Sequence, residues 1–88
     1  MGYAAMTVSD PTHRFFVHGG GELSSLDDLF TELQTMEQHV FAHHVNEERN
    51  DFATWVRDVF GDRLLARQIE LAKDKDELCK LLFINLFR

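Results

Sequence analysis

Apolar residues recur along most of this chain at helical spacing. Leu26, Leu29, Phe30 and Leu33 stand at i, i+3, i+4 and i+7, which places all four on one helix face. Met36, Val40, Phe41 and His44 form a second such face. The period alone allows either one helix across 26–45 or two with a break. Phe52, Trp55, Val56 and Val59 repeat the i, i+3, i+4, i+7 pattern, and Leu65, Ile69 and Ala72, with Leu64 and Leu71 beside them, carry another helix. From Leu78 to Phe87 eight of ten residues are apolar, interrupted only by Lys80 and Asn85.

Polar residues punctuate these stretches where helices start and stop. Ser25 with Asp28 three positions on resembles a capping box, and Asp27 and Asp28 suit the positive end of a helix. Thr35 with Gln38 offers a second box, so a break near 35 is expected. Asn50 reads as the next N-cap, with Asp51 in the first turn. Gly61 is a natural residue to end that helix, Asp62 caps its successor, and Asp74 with Glu77 opens the last one. Upstream, Phe15, Phe16 and Val17 have strand propensity and Gly19-Gly20-Gly21 permits a tight turn. No Lys follows these glycines, so they do not read as a phosphate loop. The expected fold is mainly α, a small bundle of four to five short helices with a short N-terminal strand or hairpin. Residues 1–12 read as a flexible lead and 13–88 as a single small helical domain.

Composition narrows the setting. With 88 residues there is room for one domain, and a chain of this size buries only about 60% of its unfolded surface. Eight Phe and one Trp supply material for a dense core, and a lone Cys79 rules out an intrachain disulfide. The start, MGYAAMTVSDP, lacks the basic and apolar regions of a secretory signal, and Met6 spoils a myristoylation match at Gly2. No apolar run approaches the roughly 20 residues of a membrane span. A cytoplasmic protein without membrane contact is expected.

The charge is unevenly placed. Residues 1–48 carry eight acids against one Arg, whereas 49–88 carry eight bases against seven acids. Within a net charge of −6, the first half is strongly acidic. Such a surface repels phosphate, so direct nucleic-acid binding is not expected. It suits a basic partner, and an acidic inhibitor or nucleic-acid mimic is one alternative reading.

The densest candidate chemistry lies in HHVNEERNDFATW, residues 43–55. His39 and His43, four apart, share a helix face and are weak metal candidates, with Glu47, Glu48 or His18 as further ligands. A zinc helix motif would set a glutamate beside the first histidine, and Gln38 and Val40 stand there instead. His44 aligns with Val40 and Phe41, as a buried, hydrogen-bonded histidine would. His44, Asn46, Asn50, Asp51 and Trp55 together read as a structural joint between two helices. No catalytic constellation is identified, no cofactor is implied, and Cys79 looks more like a packed residue than a nucleophile.

The last helix is the strongest functional hint. Leu78, Leu82 and Leu86, with Leu81, can serve the domain core, which leaves Phe83, Phe87, Cys79 and the neighbouring Ile84 for an interface. The expectation is a non-enzymatic protein–protein interaction module, self-associating or docking on a protein partner through that helix. A His-based metal-binding module is the other alternative.

Several of these residues carry a resemblance. Phe41 with His44-Val45-Asn46, Asn50-Asp51-Phe52 with Trp55, and Gly61-Asp62 with Leu65-Ala66 are similar to the F-x-x-H-V-N, N-D-F-x-x-W and G-D-x-x-L-A pattern of a family of short, uncharacterised archaeal and bacterial proteins. Phe16 and Gly20, Ser25-Leu26 and Val59 also fit. Gly19, where the family has Asp, Arg49, where Lys is usual, and Phe60 before the glycine depart from it. The resemblance spans about residues 15–72. It implies no activity, substrate or cofactor, but it marks His44 and the Asn-Asp-Phe-Trp cluster as parts of a recurring design.

Overall fold

The computed structural model describes residues 7–87, and the fold is a small, mainly α-helical bundle behind a two-stranded hairpin. Strands β1 (Phe15–Phe16) and β2 (Glu22–Leu23) pair antiparallel, with Phe15 opposite Leu23 and Phe16 opposite Glu22. The alternation that strands impose turns Phe15, Val17 and Leu23 inward and leaves Phe16 outside. Between the strands Gly20 N–H donates to the Val17 carbonyl, and Val17 N–H to that of Gly21, both at 2.9 Å. The turn runs through φ +90°, +129° and +106° at Gly19, Gly20 and Gly21, backbone that side-chain-bearing residues rarely adopt.

Five helices follow: α1 (Leu26–Thr35), α2 (Gln38–His44), α3 (Asp51–Phe60), α4 (Arg63–Leu71) and α5 (Lys75–Phe87). Most boundaries are set by the residues expected to set them. Ser25 Oγ accepts from Asp28 N–H at 3.0 Å, while Asp28 Oδ2 accepts from the backbone N–H and hydroxyl of Ser24. The reciprocal arm of the box therefore reaches one residue further back than Ser25. Asn50 Oδ1 accepts from Ala53 N–H, Asp62 Oδ1 from Leu65 N–H, and Asp74 Oδ1 from Glu77 N–H. Glu77 Oε1 in turn accepts from Lys73 N–H at 2.9 Å. Gly61 ends α3 in the left-handed region (φ +68°) and donates to the Arg57 carbonyl.

The break after α1 is present, but Thr35 does not make it. Thr35 is the last residue of α1, and Glu37 stands at the start of α2 without a side-chain cap among the described residues. Met36 turns the chain instead: its backbone is extended, its side chain enters the core, and its carbonyl accepts from Lys75 Nζ at the start of α5. A contact 39 residues away thus does the work that local capping was expected to do.

The start of the chain also differs from a loose lead in the part that is described. Val8 is buried and its N–H donates to the Ser24 carbonyl, and a 3-10 turn over Pro11–His13 is capped by Asp10. Residues 1–6 of the expected lead lie outside the described residues.

Helix α3 packs chiefly on α4, and α1 on α5. The core between them holds Leu26, Leu29, Leu33, Phe52, Val56, Leu65, Ile69, Leu78 and Leu82, all essentially inaccessible to solvent. Helix α5 divides as its sequence allows: Leu78, Leu82 and Leu86 face inward, Leu81 is half-buried, and Phe83, Ile84 and Phe87 remain exposed. Among the described residues no helix is long and apolar enough to cross a membrane.

This division predicts opposite outcomes at two leucines. Leu82→Ala empties a fully buried position and is expected to cost about 2–5 kcal/mol. Leu71→Ala, at a side chain 64% exposed, should change stability by no more than about 0.5 kcal/mol. Urea unfolding of the two variants measures both.

Candidate functional site

The polar stretch 43–55 folds as the corner between α2 and α3. Val45 and Asn50 form an isolated bridge across it, and Asn46 fills the turn between them. Asn46 Oδ1 accepts from Glu48 N–H at 2.9 Å and from Arg49 N–H at 3.3 Å, while Asn46 N–H donates to the Arg49 carbonyl. This is the backbone-competing chemistry that makes Asn a turn former. Asn50 adds a tertiary bond from Nδ2 to the Ile69 carbonyl, in the last turns of α4.

His44 sits under this corner, only 5% exposed. Its Nδ1 lies 2.9 Å from Asp51 Oδ2, and its Nε2 lies 3.0 Å from the backbone nitrogen of His18 in the hairpin turn. A backbone N–H can only donate, so Nε2 is the acceptor and the ring proton sits on Nδ1, where it donates to the carboxylate. One neutral imidazole thereby ties together the hairpin turn, the end of α2 and the start of α3. The other Asp51 oxygen lies 3.4 Å from Arg49 Nε, and Arg49 also donates to the His43 carbonyl at 2.8 Å. Phe15 meets the His44 ring edge-on at 4.9 Å, and Phe52 lies 5.4 Å away. Trp55 belongs to the same wall, its indole N–H donating to the His13 carbonyl at 2.8 Å.

A histidine paired with an aspartate is also the frame of a general base. In that role Nε2 must be open to the group it deprotonates. Here the lone pair is taken by the His18 amide, so the pair holds the backbone in place and presents no free basic nitrogen.

His43, the neighbour of His44, points outward and stacks on His18 with ring centroids 3.8 Å apart and planes inclined by 14°. Its pKa is pushed below the ordinary imidazole value, first by desolvation, then by His18, His44 and Arg49, with Asp51 opposing them. In-plane lone pairs of stacked rings run parallel and do not converge on one ion. His39 is exposed one turn earlier and lies 3.5 Å from Glu37, and Glu47 is exposed in the corner turn. Among the described residues, no three His, Cys, Asp or Glu side chains are placed to hold a metal, so His39, His43 and Glu47 are not brought together as a ligand set.

The second candidate lies across the bundle, where α5 meets α1. Phe30, half-buried on α1, contacts Phe87 at 5.6 Å and Phe83 at 6.1 Å, and these two lie 5.2 Å apart. Beside them runs a groove of ≈ 390 Å³ lined by Phe30, Gln34, Cys79, Lys80, Phe83 and Ile84. Phe30 was legible in the sequence only as one of four core positions. Its place at the edge of that stripe, next to α5, follows from how the two helices pair. Cys79 is partly covered, with Gln34 Nε2 3.8 Å from its sulfur. Burial, with Asp76 adding to it, raises the thiol pKa and keeps the thiolate scarce at neutral pH, which makes Cys79 a poor nucleophile.

Compared with protein-family models, with curated proteins and with solved structures, the chain gives no match.

Removing the His44 hydrogen bonds should loosen the corner measurably. His44→Phe keeps a ring in the core but leaves the His18 N–H without its acceptor and the Asp51 carboxylate without its donor, a loss expected to cost about 1–3 kcal/mol. Denaturant unfolding gives the magnitude, and faster hydrogen exchange at the His18 amide locates it.

Proposed function

We propose that this chain is a non-enzymatic interaction module that pairs with a second copy of itself through the outer face of α5. The observation that carries the reading is the exposure of Phe83 (55%), Ile84 (53%) and Phe87 (53%) side by side on α5, continuous with Phe30 of α1. Lone exposed apolar residues are ordinary on a protein surface, whereas large apolar side chains gathered beside a groove are the composition of an interface core. The inner face of the same helix already serves the core through Leu78, Leu82 and Leu86. The outer aromatics are therefore surplus to the fold.

Pairing about a twofold axis places the same patch on both sides of the contact, so one apolar face is sufficient. Phe side chains suit such a contact, since each buries a large area with few rotatable bonds to immobilise. Lys80, at the margin of the groove and 3.5 Å from Asp76, supplies the charged rim that such interfaces keep. In this reading the His44 corner serves to hold the hairpin on the bundle and takes no part in the contact.

The double substitution Phe83→Ser, Phe87→Ser tests the proposal. Analytical ultracentrifugation should find the parent chain above its 10.2 kDa monomer mass at micromolar concentration and the variant at that mass. The variant should stay folded, since the lost ring contacts are worth about 0.5–1.5 kcal/mol each. An unfolded variant would assign the two residues to the core, and a parent that stays monomeric or a variant that still associates would reject the proposal.

A further inference from the structure

Three imidazoles meet where the hairpin turn contacts the α2–α3 corner. His18 and His43 stack face to face at 3.8 Å, His43 meets His44 edge-on at 5.0 Å, and His44 Nε2 holds the His18 backbone N–H. Histidine is the side chain whose ordinary charge change falls in the physiological range. Three of the five histidines in the chain are gathered at this one seam. The geometry points to a proton-operated latch: with the rings neutral the hairpin turn is held against α2 and α3, and protonation of the His18–His43 pair releases it.

The surroundings of each ring decide the direction. His43 faces His18 from the hairpin, His44 on its own helix, Arg49 from the corner turn and Asp51 from α3. Three of these four disfavour a proton on His43, and the Asp51 carboxylate, which favours one, is already engaged by His44 and Arg49. On the other side, His18 lines a cavity with Glu32 of α1, Glu37 at the start of α2, and His39. A proton on His18 lays a cation against the His43 ring. A second proton sets two like charges face to face beside Arg49.

The displaced His18 also takes its backbone N–H away from His44, so the stack and the hydrogen bond open together. The lowered pKa of His43 agrees in sign. Its folded-state value lies below that of the unfolded chain, so its contribution to stability is complete above the ordinary imidazole range and is lost as pH falls through the folded value.

The device is separate from the α5 face, and its test does not depend on self-association. The protection factor of the His18 amide, taken as measured exchange relative to the intrinsic rate at each pH, reads the latch directly. In the parent chain it should fall as pH is lowered from about 6.5, the ordinary imidazole value, toward about pH 5, because the folded-state pKa of His43 lies below that value. In His43→Phe, which keeps an aromatic ring on His18 but carries no proton, it should stay level, and His18→Phe should behave in the same way. Amides in the core of α4 should keep their protection throughout, which separates opening of the latch from global unfolding. A level profile in the parent chain would overturn the proposal, as would an equal fall in both Phe variants.

Discussion

Two hydrogen bonds on one buried imidazole hold the two parts of this fold together. His44 donates from Nδ1 to Asp51 and accepts at Nε2 from the His18 backbone. Without the first bond, the corner between α2 and α3 would keep only its backbone bridge and the contacts of Arg49 with the His43 carbonyl and Asp51. Without the second, the hairpin would rest on apolar contacts and on the Trp55 indole bond to the His13 carbonyl. Two strands of two residues each are far too short to be stable alone. The hairpin exists because Phe15, Val17 and Leu23 reach the helical core and His44 fixes its turn.

The same economy explains α5. A domain of this size has little interior, and its core is filled by one stripe from each helix. Helix α5 carries more apolar surface than such a stripe needs, and the excess is aromatic and grouped with Phe30. Carrying that surplus exposes a small protein to nonspecific association, a burden that makes sense when the surface has a dedicated occupant. The His44 corner and the α5 face are thus different kinds of feature: one spends polar groups to fix the fold, the other leaves apolar groups unused by it.

Much of this was legible in the sequence because it is local. Ser25, Asn50, Asp62 and Asp74 cap helices through bonds spanning three residues, and Gly61 stops α3 by its own backbone freedom. The inner and outer faces of α5 follow from helical spacing alone. The features that escaped are long-range. Thr35 and Gln38 have the letters of a capping box, yet the chain breaks at Met36 because that side chain is wanted in the core and Lys75 takes its carbonyl. The burial of His44 was readable from its alignment with Val40 and Phe41, but its acceptor role toward His18, 26 residues away, was not. The His18–His43 stack has the same origin, since no local pattern brings a hairpin turn onto a helix end. Phe41, His44, Asn46, Asn50, Phe52 and Trp55 surround this one corner, where each has a packing or hydrogen-bonding task.

In the proposed assembly, copies of this chain meet on the outer face of α5. The most direct measurement is an isotope-filtered NOE experiment on an equimolar mixture of labelled and unlabelled protein, which records only contacts between copies. The account predicts intermolecular NOEs from the rings of Phe30, Phe83 and Phe87 and from the Ile84 methyls, with none from the Phe52 or Leu82 core. Intermolecular contacts that avoid α5, or none at concentrations where the protein is fully folded, would contradict it.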